Sequence, residues 1–316
     1  MIKNDEITFV VQGAVSDKRA TLLAISSIRK NFPGSTIILS TWEGSDLTGL
    51  QYDELALSRD PGSCIVDDCR NIYYNINRQI VSSREGLIRV KTKYAVKTRT
   101  DCYFKSPVLI KKYENGCKTY GIDASESNRI LVIRDFFRNP RRRYHMAYHV
   151  SDFLFFGKTE DIRTIFSCKL MSDTEIRWYS NHQIPTSAPS KTVLHRFSAE
   201  QHLWMSFLHS KNWSFSIENA YDISESVISN AEASYRQFLL IYSSISLDFF
   251  SIKHKKMYLV SYDSYSAKEI KNIYVSRFSL APSFERTLLL YLHSAGRAIK
   301  YTARVILGFF QSRIVS

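Results

Sequence analysis

Four short segments hold the residues whose types and spacing could do chemistry. In Lys97-Thr-Arg-Thr-Asp101 a lone acid closes an apolar run. A carboxylate desolvated there without a partner is costly, so Asp101 must face a metal ion, a cation or a hydroxyl. Lys97 and Arg99 take alternate positions of one extended segment, share a face and could meet phosphate directly. The competing reading is an ion pair between Asp101 and one of these cations. In the second candidate, Asp60-Pro-Gly62 with Asn77-Arg-Gln79, Arg78 offers a planar fork for phosphate or carboxylate, while Asn77 and Gln79 could hydrogen-bond a base or a sugar. The bland alternative is a solvated helix face. The third is His149-Val-Ser-Asp152, running into Phe153-Leu-Phe-Phe-Gly157; Asp152 sits where acceptor hydroxyls could reach it, or merely starts a strand. In the fourth, Glu200 opens a helix whose dipole favours an acid there whether or not it reacts. A partly buried carboxylate is also the base that an inverting sugar transfer needs to take a proton from a hydroxyl. Glu200 and Asp152 therefore stand as rival catalytic bases.

These groups need a frame, and the hydropathy pattern predicts an α/β one. Ile7 to Val11 reads as a buried strand closed by Gln12 and Gly13, and Lys18 to Asn31 carries helical apolar spacing at Leu22, Leu23, Ile25 and Ile28. Pro33 and Gly34 stop that helix, and Thr36 to Ser40 is the next strand, completing a right-handed βαβ unit. A strand at Glu54–Leu57, a helix from about Tyr73 to Lys91 and a buried strand at Tyr94–Thr98 follow. Each candidate then lies past the carboxyl end of a strand, where open α/β sheets bind ligands. Val150 to Gly157 reads as an inner strand, Ala199 to Ser210 as a helix, and Arg138 to Arg143 as an exposed basic loop.

Composition bounds the rest. The 316 residues carry 44% hydrophobic and 23% charged side chains, which suits a folded chain rather than a disordered one. A formal charge of +13 attracts polyanions, namely nucleotide phosphates, acidic lipids, acidic saccharides or nucleic acid. The Arg141-Arg-Arg143 run lacks any groove-reading motif, so nucleic acid is not the expected partner. Five cysteines (Cys64, Cys69, Cys102, Cys117, Cys168), an odd number without a CxxC pair, argue against a disulfide framework and a zinc ribbon and fit a reducing compartment. The N-terminal run is too broken for a signal peptide or anchor, and no stretch has the apolar length to span a bilayer.

Taken together, Gln12-Gly13, Ser27-Ile-Arg-Lys-Asn-Phe-Pro-Gly34, Leu39-Ser-Thr-Trp-Glu-Gly44, Asp60-Pro-Gly62, Asn77-Arg-Gln79, Lys93-Tyr94, Lys97-Thr-Arg-Thr-Asp101, Ser151-Asp152 and Glu200-Gln201 resemble the WavE family of bacterial lipopolysaccharide synthesis proteins over about the first 210 residues. That resemblance implies a GT-A-like glycosyltransferase: a Rossmann-type mixed sheet with helices on both faces and an acidic motif after a central strand. It implies that Gln12 and Gly13 follow the first nucleotide-binding strand, that Trp42 and Glu43 line the base or ribose pocket, and that Asp101 takes the place of the acidic motif. The usual Asp-x-Asp is here Asp101-Cys102-Tyr103, so one carboxylate must serve, and a Mg2+ or Mn2+ ion becomes an open question.

Three regions are expected: a nucleotide-sugar-binding and catalytic domain over 1–220, an extension over 221–282, and a basic amphipathic segment over 283–316. In the last, Leu288, Leu292, Ala295, Ile299, Ile306 and Phe310 form one stripe, opposite Arg286, His293, Arg297, Lys300 and Arg304. Such a helix suits the surface of an anionic inner membrane, so the chain is expected in the cytoplasm, peripherally bound. The expected reaction moves a sugar from a nucleotide-sugar to a hydroxyl of a lipopolysaccharide core, O-antigen, capsule or other lipid-linked saccharide. Nucleotidyl or phosphosugar transfer could use the same groups, and a basic nucleic-acid-binding module is the remaining alternative.

Overall fold

The computed structural model describes residues 1–67, 72–120, 129–142, 144–188, 193–254 and 263–275. Cys69, Arg143 and the whole amphipathic segment 283–316 lie outside the described residues. In chain order the elements are β1 (Ile7–Gln12), α1 (Lys18–Asn31), β2 (Thr36–Trp42), β3 (Glu54–Ser58), β4 (Cys64–Asp67), β5 (Ile72–Tyr74), α2 (Ile76–Leu87), β6 (Tyr94–Arg99), β7 (Cys102–Phe104), α3 (Val108–Glu114), α4 (Gly116–Tyr120), β8 (Ile130–Ile133), β9 (Phe155–Lys158), α5 (Thr159–Phe166), α6 (Asp173–Ile176), α7 (Ala199–Ser210), α8 (Glu225–Phe238), β10 (Leu239–Tyr242), β11 (Phe249–Ser251) and α9 (Ala267–Val275).

Seven of these strands form one sheet in the order β10-β8-β9-β6-β1-β2-β3. β1, β2, β3 and β6 run parallel, as do β8 and β10, while β9 runs antiparallel to both β6 and β8. The result is a mixed α/β fold with helices on both faces. All six residues of β1 are buried, and they alternate between two cores. Val10 packs with α2, α5, α7 and α8 on one face, whereas Phe9 and Val11 pack with α1, α3 and the short β7–β11 ribbon on the other. Helix α2 lies so close to the sheet that a Cβ at Gly86 would fall 2.4 Å from Val10 Cγ1 and 2.9 Å from Ser40 Cβ.

Local chemistry explains the boundaries. Asp17 caps α1 by accepting from the Arg19 and Ala20 amides at 3.0 and 3.1 Å, and Gly34, at φ +87°, makes the turn beyond its end. Ser198 and Gln201 close a reciprocal capping box at the start of α7.

Several expectations change. The helix expected from Tyr73 begins at Ile76, because Tyr73 belongs to an antiparallel hairpin of β4 with β5. The strand expected over 150–157 is only Phe155–Lys158, and residues 150–154 approach it as irregular chain. Among its described residues the basic loop is not a free cationic surface. Arg141 pairs with Glu232 and Glu225 on α8, and Arg142 with Glu269 on α9 at 2.7 Å, so helices far along the chain neutralise these two arginines. The expected boundary near residue 220 runs through a compact unit spanning Met1–Val275, because α8 packs into the core and β10 pairs with β8 in the main sheet.

Candidate functional site

The parallel strands β1, β2 and β6 end on one edge of the sheet, and antiparallel β9 begins there, so Asp152 reaches that edge from before a strand rather than after one. The loop after β1 is tied to the turn after β6: Thr100 N–H donates to the Gln12 carbonyl at 3.0 Å and Thr100 Oγ1 to the Ala14 carbonyl at 2.9 Å. Gly13, at φ +120°, makes the bend that allows this.

Asp101 stands at the tip of that turn in a two-pronged pair with Arg99, with Nε to Oδ1 at 2.9 Å and Nη2 to Oδ2 at 3.0 Å. The pair is not sealed, since 25% of the Arg99 side chain and 15% of that of Asp101 remain exposed. Burial works to raise the Asp101 pKa, but the Arg99 fork outweighs it and holds the carboxyl below its usual range. The main chain is held as well: Ile252 N–H donates to the Asp101 carbonyl at 2.9 Å, through the β7–β11 ribbon. Lys97 does not share the edge. It is fully buried, its ammonium donates to the Asp152 carbonyl and lies 5.3 Å from the Phe166 ring centre, and burial brings it down to about 8. The expectation that Lys97 meets phosphate is therefore corrected: it ties β6 to the Asp152 loop.

A divalent ion fits poorly here. Both Asp101 oxygens already accept from a guanidinium that would repel it, and no cluster of three His, Cys, Asp or Glu side chains able to hold a metal occurs among the described residues.

Glu200 lies in the first turn of α7 with 26% of its side chain exposed. Burial first, and the neighbouring Asp152 charge second, push its pKa up to about 7. Asp152 is 8% exposed, and its Oδ2 accepts from Gln79 Nε2 at 2.5 Å. Its charge acts on Lys97, Arg99, His149, Glu200 and His254, which makes it the hinge of the whole cluster. Around it, Arg99 lies 4.6 Å from the Phe153 ring centre, Phe153 stacks on Phe136 at 5.1 Å, and the His254 ring meets both phenyl rings edge-on. Phe136 and Tyr148 hold φ of +64° and +59°, a left-handed conformation costly for bulky residues and typical of places where structure is bent to a task.

The remaining candidates divide. Gln12 is buried and its Oε1 accepts from Ser82 Oγ at 2.6 Å. Trp42 is half-buried and Glu43 exposed, at the carboxyl end of β2. Asn77 turns away from any ligand: it exchanges two hydrogen bonds with the Met171 main chain, at 3.0 and 2.9 Å, and so locks α2 to the segment before α6. Arg78 grips Asp60 through Nε and Nη2 at 2.7 and 2.6 Å, which fills its fork. The sequence reading joined Asp60 with Arg78 but missed the parts of His149, Arg138 and His254. Only the proximity of His149 to Asp152 in the chain hinted at them. A cavity of 470 Å³ lies at the other edge of the sheet, lined by Tyr94, Lys158 and Leu240 among others, and none of the candidate residues borders it.

Comparison with known proteins adds one finding. A family model described as WavE lipopolysaccharide synthesis matches residues 7–304. No curated protein matches the chain.

Proposed function

The chain belongs to the WavE lipopolysaccharide synthesis family, and on that premise we propose that it is a GT-A-type glycosyltransferase moving a sugar from a nucleotide-sugar to a hydroxyl of a lipopolysaccharide or related surface saccharide. The observation that carries this reading is Glu200, a partly open carboxyl with a pKa of about 7 beside Asp152 at the ligand-binding edge of a mixed sheet. Glu200 takes the proton of the acceptor hydroxyl as that oxygen bonds to the sugar C1. The bond from C1 to the donor diphosphate breaks, and its electron pair leaves with the diphosphate. Asp152 is less suited to this proton, because Gln79 already occupies Oδ2 and the residue is more deeply buried. Its charge instead keeps Glu200 basic.

Asp101 has lone pairs beyond the two that Arg99 engages, and these accept hydroxyls of the donor. Arg99 and Arg138 lie close enough to the acidic cluster to feel its charges, and they oppose the negative charge that develops on the departing diphosphate. Trp42 and Glu43 flank the base or ribose, and Gln12 and Gly13 shape the floor beneath it. Since the Arg99 guanidinium faces both Asp101 oxygens and would repel a dication, no step is assigned to Mg2+ or Mn2+.

Two measurements test this. In a strain lacking the gene, wild-type protein restores the full lipopolysaccharide banding pattern, and purified protein is stabilised against heat by one class of nucleotide-sugar, with EDTA leaving that stabilisation unchanged. Restoration by a Glu200→Gln/Asp101→Asn variant would refute the assignment, and loss of the thermal shift on chelation would restore a metal to the site. No helix among the described residues is long and apolar enough to cross a membrane. Membrane contact is assigned to residues 283–316, which predicts that truncation at residue 282 moves the protein from the membrane to the soluble fraction; unchanged fractionation refutes it.

A further inference from the structure

Glu200 does not stand alone on its side of the cluster. His149 Nε2 lies 3.4 Å from Glu200 Oε2, and the His149 side chain is 6% exposed. Burial first, and the Arg138 charge second, hold the imidazole down to about 3, so it is neutral wherever the protein works and the contact is not an ion pair. A neutral imidazole carries one N–H and one bare nitrogen. Nδ1 is buried without a hydrogen-bond partner, so a proton there would be a stranded donor, whereas a proton on Nε2 points toward a carboxyl. The ring is also held in place. Tyr148, just before it, has φ +59°, and Gln201 on α7 donates to the Ala147 carbonyl at 2.7 Å, so the helix that carries Glu200 grips the chain that carries His149.

Resting on the sugar-transfer reading of this site, we propose that His149 is a positioning residue that donates its Nε2 proton to Glu200 Oε2, leaving the other carboxyl oxygen to receive the proton of the acceptor. The 3.4 Å separation is longer than a formed N–H···O bond. Ionisation of Glu200 supplies the charge that draws the donor in, and such catalytic bonds commonly tighten only as the reaction proceeds. The bond favours the carboxylate and so works against burial and Asp152, which favour the acid. The other titratable and charged groups facing this pair are Arg138 from the loop after β8, Asp152 from the chain before β9, His195 from the chain before α7 and Tyr74 from β5, and the Ser198 hydroxyl also favours the Glu200 carboxylate. Arg138 favours the carboxylate, while Asp152 disfavours it.

The test reads Glu200 directly and needs no substrate. In full-length protein labelled with 13C at glutamate carboxyl carbons, the Glu200 resonance is assigned by its loss in Glu200→Gln and followed against pH. The expected wild-type midpoint is about 7. His149→Phe, which has no donor, raises the midpoint by about half a pH unit or more, and His149→Gln, whose amide reaches the same oxygen, returns it most of the way. If the phenyl ring does not fold in that place, His149→Asn, too short to reach, replaces it and gives the same rise. A midpoint unmoved in the variants without a reaching donor overturns the proposal. Its failure is separable from that of the enzymatic reading: a Glu200→Gln protein that still transfers sugar refutes the base but leaves the titration result standing.

Discussion

Glu200→Gln slows transfer about 10²–10⁴-fold, the range that removal of a general base produces, while leaving donor binding and the fold intact. The fall is measured with lipopolysaccharide from the gene-deleted strain as acceptor and the stabilising nucleotide-sugar as donor. The same substitution makes the protein more heat-stable at neutral and alkaline pH. Glu200 has a folded pKa of about 7 against an ordinary value of 4.5, so ionising it in place is unfavourable. The penalty is absent below the unfolded value, grows between the two values and is complete above the folded one. Replacing the acid by an amide removes it, which is worth about 1–3 kcal/mol and a few degrees of melting temperature at about pH 8, and nothing at about pH 4. A companion variant separates the rivals. Asp152→Asn keeps an acceptor for Gln79 but deletes the charge that repels the Glu200 carboxylate, so the rising limb of the pH–rate profile moves to lower pH while transfer survives. Loss of transfer in Asp152→Asn but not in Glu200→Gln would exchange the two roles.

How far the sequence reveals this site depends on the range of the forces that build it. Helices α1 and α7 are legible to the residue, because their caps, Asp17 and Ser198 with Gln201, and their stop at Pro33-Gly34 are local chemistry. Strands β1 and β6 are legible because a parallel strand buried on both faces reads as a continuous apolar run. The β7–β11 ribbon, which holds the Asp101 main chain, is not, because Cys102 pairs with Ser251 far along the chain and each strand is only three residues long. The direction of β9 is equally invisible, since alternation looks the same read either way. That direction is what delivers Asp152 to the site. Residue type singled out Glu200, Asp152, Arg99 and Asp101 as candidates, but spacing could not show that Lys97 is sealed in the core against the Asp152 loop, or that His149 meets Glu200, for these are contacts between segments far apart in the chain.

The same ambiguity makes Asp101 the residue whose replacement says most, because one carboxylate could be no more than the partner of Arg99. Asp101→Asn removes one half of the fork and the charge behind both, and leaves a guanidinium, three-quarters covered, without its anion. Such a break costs about 1–3 kcal/mol, less than for a fully buried pair because solvent still screens it. The loss is confined to pH above the depressed Asp101 pKa: the folded carboxyl titrates below its ordinary value of 3.8, so the pair stabilises above that value and its contribution fades as pH falls through the folded one. If Asp101 were only structural, removing Arg99 as well would undo the damage, since a pair replaced whole is often nearly neutral where a pair broken in half is not. Asp101→Asn combined with Arg99→Gln therefore regains most of the wild-type melting temperature, yet transfer stays about 10²-fold or more below wild type, because the anionic acceptor of the donor hydroxyls and the cation facing the diphosphate are both gone. A double variant that melts like wild type and also transfers like wild type would reduce Asp101 to a brace and take the donor site away from this edge of the sheet.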